Sequence, residues 1–200
     1  MTTGRYPVSI QRQQARARFE ASGQPDALLA ALRAAGLSLP SRPNSAAQSD
    51  GTTRWTYWLG PRRFVVTSSI DEEAQLGRLL GDAFAAFALA DVCCVTDMVL
   101  TFDLLGDGAC ALLSQGTALD ISNTAFSAGS VTVTDLWGIA AMIERPLDLP
   151  ECRRVTVDRS LGGFVEGWLW AANGLSSAHM PGVMRTALDA QNLAKPPSAP

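Results

Sequence analysis

A nucleophilic triad needs a base held beside its nucleophile, and this chain has a single histidine, His179, in the segment SSAHMPG. It sits beside a turn with no partner at motif spacing, which points to a loop histidine rather than a general base. The four cysteines, Cys93, Cys94, Cys110 and Cys152, include no C-x-x-C pair and lie far from His179. They lack the ligand spacing of a zinc site. Adjacent Cys93 and Cys94 have poor geometry for a mutual disulfide, so the thiols are expected to be small buried apolar groups in a reducing compartment. Asp71, Glu72 and Glu73 open a helix-like run, where acids complement the helix dipole, and Asp107 in DLLGD suits a helix N-cap. The glycines of LLGDGACALL (104–113) fall between a strand and a helix, as in a phosphate-binding turn. The G-x-G-x-x-G spacing and a Walker A lysine are both missing. No residue is therefore assigned to catalysis, cofactor binding or metal binding.

The five tryptophans carry more information. In residues 160–172, Leu161, Phe164, Val165, Trp168 and Leu169 recur at helical spacing and predict an inward stripe, with Trp168 in the core. Trp170 lies two residues on, about 200° around the helix. It shares its face with Gly163, Glu166 and Gly167. An aromatic beside two glycines suggests a close-approach surface, covered either by another layer of this chain or by a partner subunit.

Two hundred residues, 47% of them hydrophobic, suffice for one sizeable core. The net charge of −3 argues against a nucleic-acid binder. Basic charge is almost all arginine, with Lys195 the only lysine. Guanidinium groups suit carboxylate or phosphate recognition, while a GC-rich genome would produce the same abundance of arginine and alanine. The N-terminal segment lacks the apolar region of a signal peptide. The longest apolar stretch, 83–102, carries Asp91 and Asp97, which would be costly in a bilayer. A cytoplasmic, membrane-free protein is expected.

The elements that would position these residues read twice. FEASG (19–23) leads into a helix at PDALLAALRAAG (25–36), a polar loop, strands at RWTYWLG (54–60) and RFVVTS (63–68), and a helix over 71–87. FDLLG (102–106) leads into a short helix over 108–115, a loop, apolar runs at 130–145 and 153–158, and the helix at 160–172. Gly36 matches Gly116 as the residue ending a helix, and Arg63 matches Arg153 at the start of a strand. Loops absorb the differing offsets. Pro25 suits a first helical turn and Gly36 the left-handed position after the last, and Ser69 with Glu72 forms a capping-box pattern. In WTYWL, Trp55, Tyr57 and Leu59 take one face and Thr56 and Trp58 the other. The fold class is α+β: duplicated strand-helix-strand-strand-helix halves, about 19–90 and 91–175, packed as a single domain over 19–178. Residues 1–18 form an arm with a strand near Val8 to Gln11. Residues 179–200 form a tail whose end, KPPSAP, is expected to be disordered.

The order of these motifs resembles the gamma subunit of heterotetrameric sarcosine oxidases. The family's strand ending in Leu-x-Gly, its ALL-x-x-G helix and its C-P-L-D-L loop correspond here to LLG (104–106), ALLSQG (111–116) and TALDI (117–121). Phe126, Ala128-Gly129 and WLGP (58–61) follow the same pattern. Thr117-Ala118 replaces the family's Cys-Pro, which leaves the oxidised substrate open. The resemblance spans roughly 19–172. It implies a fold similar to the folate-binding region of the glycine-cleavage T-protein, and a non-catalytic structural subunit with no cofactor of its own. The alpha, beta and delta partners would hold NAD, tetrahydrofolate, flavin (FAD and FMN) and zinc. The assembly would demethylate sarcosine or another N-methyl amino acid oxidatively, passing the one-carbon unit to tetrahydrofolate or releasing formaldehyde. A self-standing folate-dependent one-carbon transferase of the same fold, or a homodimeric binding module, would be the alternatives. The first needs a carboxylate placed for a folate nitrogen, and the second a symmetric dimer of the isolated chain.

Overall fold

The computed structural model describes residues 5–174; His179 and the tail 179–200 lie outside the described residues. In chain order the elements are β1 (Ser9–Arg12), β2 (Ala17–Gly23), α1 (Pro25–Ala34), β3 (Ser45–Gln48), β4 (Trp55–Gly60), β5 (Arg63–Ser68), α2 (Glu73–Phe84) and β6 (Ala90–Cys94). They continue with β7 (Val99–Leu105), α3 (Ala109–Leu113), β8 (Val131–Leu136), β9 (Ile139–Glu144), β10 (Cys152–Asp158) and α4 (Gly162–Ala172). The architecture is α+β, with two antiparallel five-stranded sheets in the orders 3-4-5-2-6 and 8-9-10-7-1.

Alternation along the strands divides each sheet into two working faces. On the outer face of the first sheet, Phe19, Phe64 and Val66 meet Leu28 and Leu32 of α1 and Leu76, Leu80 and Phe84 of α2. On the outer face of the second, Phe102, Leu104, Val155 and Val157 meet Leu112 and Leu113 of α3 and Val165 and Leu169 of α4. The inner faces bury Trp55, Tyr57 and Val65 against Val131 and Met142. The layers thus run helices, sheet, sheet, helices, and the WTYWL alternation is as expected, with Trp58 stacked on Phe64 at 5.5 Å on the outer face.

The two strand orders coincide once β1 is given the place in its sheet that β6 has in the other. The N-terminal arm is therefore an edge strand, paired antiparallel to β7. The sheets also meet at corresponding edges: Ser45 bridges Ser130, Ala46 N–H donates to Gly129 O at 2.9 Å, and Val131 N–H donates to Asn44 O at 3.0 Å.

Register corrects one expected match. Phe19 lies opposite Val66, and Phe102 opposite Val155. Arg63 then corresponds to Cys152, and Arg153 to Phe64. A slip of one residue reverses the face: Arg63 is exposed, whereas Arg153 is 1% exposed among core residues. The run 130–145 is not one strand but the hairpin β8–β9. It turns at Trp137 and Gly138, whose φ values of 53° and 83° are those of a two-residue primed turn.

The helix ends follow the sequence unevenly. Pro25 does occupy the first turn of α1, and Gly36 has φ 68°. Gly36 N–H donates to Arg33 O at 2.9 Å and Leu37 N–H to Leu32 O at 3.3 Å, closing a Schellman motif. Gly116 does not share this role. A Cβ there would come within 2.4 Å of the Trp137 indole, so this glycine makes room for a ring. Asp107 provides no side-chain cap; Gly108 stands at the N-cap of α3. Ser69 likewise makes no side-chain cap bond, because a 3-10 turn, Ile70–Glu72, precedes α2. The Glu72 carboxylate instead accepts from Ser68 and Thr53. Cys152 is buried, but Cys93 and Cys94 are exposed: they lie on β6, which pairs only with β2 in its sheet.

Candidate functional site

Two places concentrate chemistry: the outer surface of α4, and a polar chamber between the sheets. On α4, Val165 and Leu169 are buried, but Phe164 and Trp168 are 47% and 44% exposed. Trp168 is therefore not a core residue. The reason is the close seat of the helix on β7: a Cβ on Gly162 would come within 2.2 Å of Leu100. Gly162, Val165 and Leu169 face inward, and the positions flanking that narrow stripe are turned outward. There Trp168 stacks on Trp137 with ring centroids 5.9 Å apart and planes at 17°. Phe164 meets Trp168 edge-on at 5.9 Å. The left-handed turn of β8–β9 and the missing side chain of Gly116 hold Trp137 in place, so three rings form one open surface.

The residues singled out around Trp170 fall elsewhere. Gly163 is exposed, while Glu166, Gly167 and Trp170 are half-buried. Trp170 Nε1 is buried with no hydrogen-bond partner among the described residues. Burial holds the Glu166 carboxyl above its ordinary value, against the pull of Arg12.

The chamber, about 140 Å³, opens between the inner faces, with residues 12–16 along its rim. Its second-sheet wall carries Arg154 and Glu144, and Asp103 pairs with that arginine. Asp103, 3% exposed, accepts from Arg154 through two bonds of 2.7 and 2.9 Å, a bidentate pairing of high specificity. Arg154 also stands 3.6 Å from Glu144. Burial pulls the Arg154 pKa down, but the bonds to Asp103 and the Glu144 charge outweigh it and hold it raised. From the first sheet, the Tyr57 hydroxyl donates to Glu144 at 3.2 Å. Burial, followed by the nearby Glu144 charge, pushes the Tyr57 pKa up.

Arg18 also lines this chamber. Arg18 is half-buried, and desolvation lowers its pKa. The hydrogen bond its guanidinium makes within the described structure goes to Met142 Sδ at 3.1 Å, a weak acceptor. Thr101 and Thr156 bond to each other at 3.0 Å on the opposite wall. Thr67 Oγ1 is buried near the Tyr57 hydroxyl without a hydrogen bond of normal geometry.

Sequence reasoning did not find this chamber. The alternation that placed Tyr57 on an inner face was legible. Its partners Asp103, Glu144 and Arg154 come from three other strands, and only register brings them together. Among the described residues there is no group of three or more His, Cys, Asp or Glu placed to hold a metal ion, and no helix is long and apolar enough to cross a membrane.

No family model and no curated protein matches the sequence. Solved structures do match the fold. Over 86% of both chains, with a TM-score of 0.75 and 20% identity, it resembles a chain of the heterotetrameric sarcosine oxidase of Corynebacterium sp. U-96, solved with pyrrole 2-carboxylate. The chain has the fold of a sarcosine oxidase chain. A wider relation joins it to the glycine-cleavage aminomethyltransferase T of Bartonella henselae, with a TM-score of 0.61 and 13% identity. That likeness covers 84% of this chain but only 46% of the aminomethyltransferase. The two-sheet unit thus accounts for nearly the whole of one relative and about half of the other.

Proposed function

We propose that this protein is a structural, non-catalytic gamma subunit of a heterotetrameric oxidase of the sarcosine oxidase type. The observation that carries the reading is the fold likeness over 86% of both chains to a chain of such an assembly. The coinciding strand orders support a fold built by duplication, as in T-protein-like units. The partner alpha, beta and delta subunits hold flavin, NAD, tetrahydrofolate and zinc, and the assembly oxidatively demethylates sarcosine or another N-methyl amino acid. The carbon leaves as formaldehyde or on tetrahydrofolate.

The exposed rings of Phe164 and Trp168, backed by half-buried Trp137, support a docking role. Aromatic side chains dominate interface hot spots, and such a surface is otherwise a liability in water. Co-expression with flavin-bearing subunits of this type tests the reading. The chain should co-purify with them, and Trp168→Ala should weaken retention by about 2 kcal/mol or more while circular dichroism stays unchanged. A chain that purifies alone, ignores such subunits and binds flavin stoichiometrically would overturn it.

A further inference from the structure

We propose that the chamber between the two sheets binds a small carboxylate, with Arg18 as its anion contact. The inference does not depend on the subunit reading. Three observations carry it. First, the charge on the walls does not balance. Arg12, Arg16, Arg18, Arg154 and Arg159 line the chamber with one carboxylate, Glu144. Arg154 is committed to Asp103 and Arg159 to Asp97. Glu144 is held by Tyr57 and Arg154. That leaves Arg12, Arg16 and Arg18 without a carboxylate at bonding distance among the described residues; Arg12 is exposed and Arg16 reaches the Thr53 carbonyl at 3.4 Å, so Arg18 is the inward cation of the three. Second, its guanidinium bonds a thioether, the weakest acceptor it could have. A desolvated cation gains most from a charged partner. Third, Thr67 is 5% exposed, lines the same chamber, and has an unpartnered hydroxyl.

A cavity of about 140 Å³ suits a small ligand. One guanidinium fork and one free hydroxyl suit a planar pair of oxygens better than a tetrahedral oxyanion, which usually draws several cations or a row of backbone N–H groups. Entry lies at the segment joining β1 to β2. The same segment walls a second, larger cleft that includes Arg16, Gln48 and Asp71.

Sodium acetate is the probe, titrated into the full-length chain against sodium chloride and sodium phosphate at matched ionic strength, with nuclear magnetic resonance shifts as readout. Acetate should saturate a single site and shift resonances of Thr67, Thr101 and Thr156. Arg18→Met should weaken acetate at least about tenfold, roughly 1.4 kcal/mol, and Arg18→Lys should fall between the two. Thr67→Val keeps the β-branched shape and removes only the hydroxyl, so it should fold normally and weaken acetate about threefold, near the net value of one hydrogen bond. Absence of saturable binding, equal response to phosphate or chloride, or full affinity in both Arg18→Met and Thr67→Val overturns the assignment. If Arg18→Met fails to fold, Thr67→Val decides alone.

Discussion

Three positions lie side by side on adjacent strands in each sheet. In the first sheet they are Glu20, Val65 and Tyr57; in the second, Asp103, Arg154 and Glu144. The backbone scaffold is the same, but the chemistry differs. With an arginine at the central position, the second sheet turns its acid inward and seals it. With a valine there, the first sheet leaves Glu20 to bond Arg63 out at the rim, where both side chains are substantially exposed. Tyr57 and Glu144 hold corresponding places and bond to each other across the gap. The comparison teaches that, at matching register, the residue at the central position decides which charges become structural.

The largest test sets the two acids against each other. Asp103→Ala leaves Arg154 buried without its bidentate partner and should cost about 3–5 kcal/mol. Glu20→Ala removes a rim pair and should cost no more than about 1 kcal/mol. Urea titrations of both variants measure the difference. Equal losses would mean that the inner pair is solvated and the contrast between the sheets is false.

Arg153 sharpens the comparison on the outer faces, where its counterpart is Phe64. Phe64 stacks on Trp58, whereas Arg153 reaches the Ile121 carbonyl through Nε and Nη2 at 3.2 and 3.1 Å, and Asn123 Oδ1 at 2.6 Å. Arg145 holds the same loop through the Asn123 and Phe126 carbonyls. Arginine here replaces a helical turn: α3 is 5 residues where α1 is 10, and the guanidinium groups satisfy the loop that follows. Arg153→Met should cost about 1–3 kcal/mol through the buried carbonyls left unpaired. Hydrogen exchange should quicken in 117–127 and stay unchanged around α1. Uniform exchange across both halves would show that Arg153 is not specific to that loop.

Much of this was legible beforehand. Apart from the unmade Ser69 cap, the first half follows local rules: Leu76, Leu80 and Phe84 form the stripe that periodicity predicts, and Pro25 and Gly36 bracket α1 as their conformations require. The second half departs wherever long-range contact overrides local preference. Trp168 has the spacing of a core residue. Its exposure follows from Gly162 seating the helix against Leu100 and from Trp137 rising beside it, neither of which periodicity contains. The chamber was illegible for a related reason: Asp103 and Arg154 are ordinary charges in their strands until a register of seven paired residues sets them opposite each other.

The two helix-ending glycines offer a smaller effect with a clear sign. Gly36→Ala meets open space, so its cost is the left-handed φ alone, about 1–2 kcal/mol. Gly116→Ala has no such backbone strain but drives a methyl into the Trp137 ring, an overpacking cost of about 1–3 kcal/mol. The two variants should separate in fluorescence. Gly116→Ala should disturb the emission of the stacked Trp137 and Trp168, and Gly36→Ala should leave it alone. Identical spectra would mean that Trp137 moves away without consequence.

The smallest effect concerns Glu144 and depends on pH. Burial raises its pKa above the ordinary 4.5, and the opposing pull of Arg154, Arg16 and Arg18 does not cancel that rise. In the unfolded chain the group returns to its ordinary value. Between the two values the folded state holds more protons than the unfolded one. The contribution to stability is therefore fully present below the unfolded pKa and is lost as pH rises through the folded pKa. Glu144→Gln has nothing to titrate and keeps an oxygen for the Tyr57 hydroxyl. Its stability relative to the native chain should rise as pH increases from about 4 towards neutrality and then level off. Thermal unfolding at a series of pH values measures this. A Gln variant that loses ground as pH rises would show that the Arg154 pairing outweighs burial, and the second sheet's charges would then stabilise the fold as an ion pair rather than merely being tolerated within it.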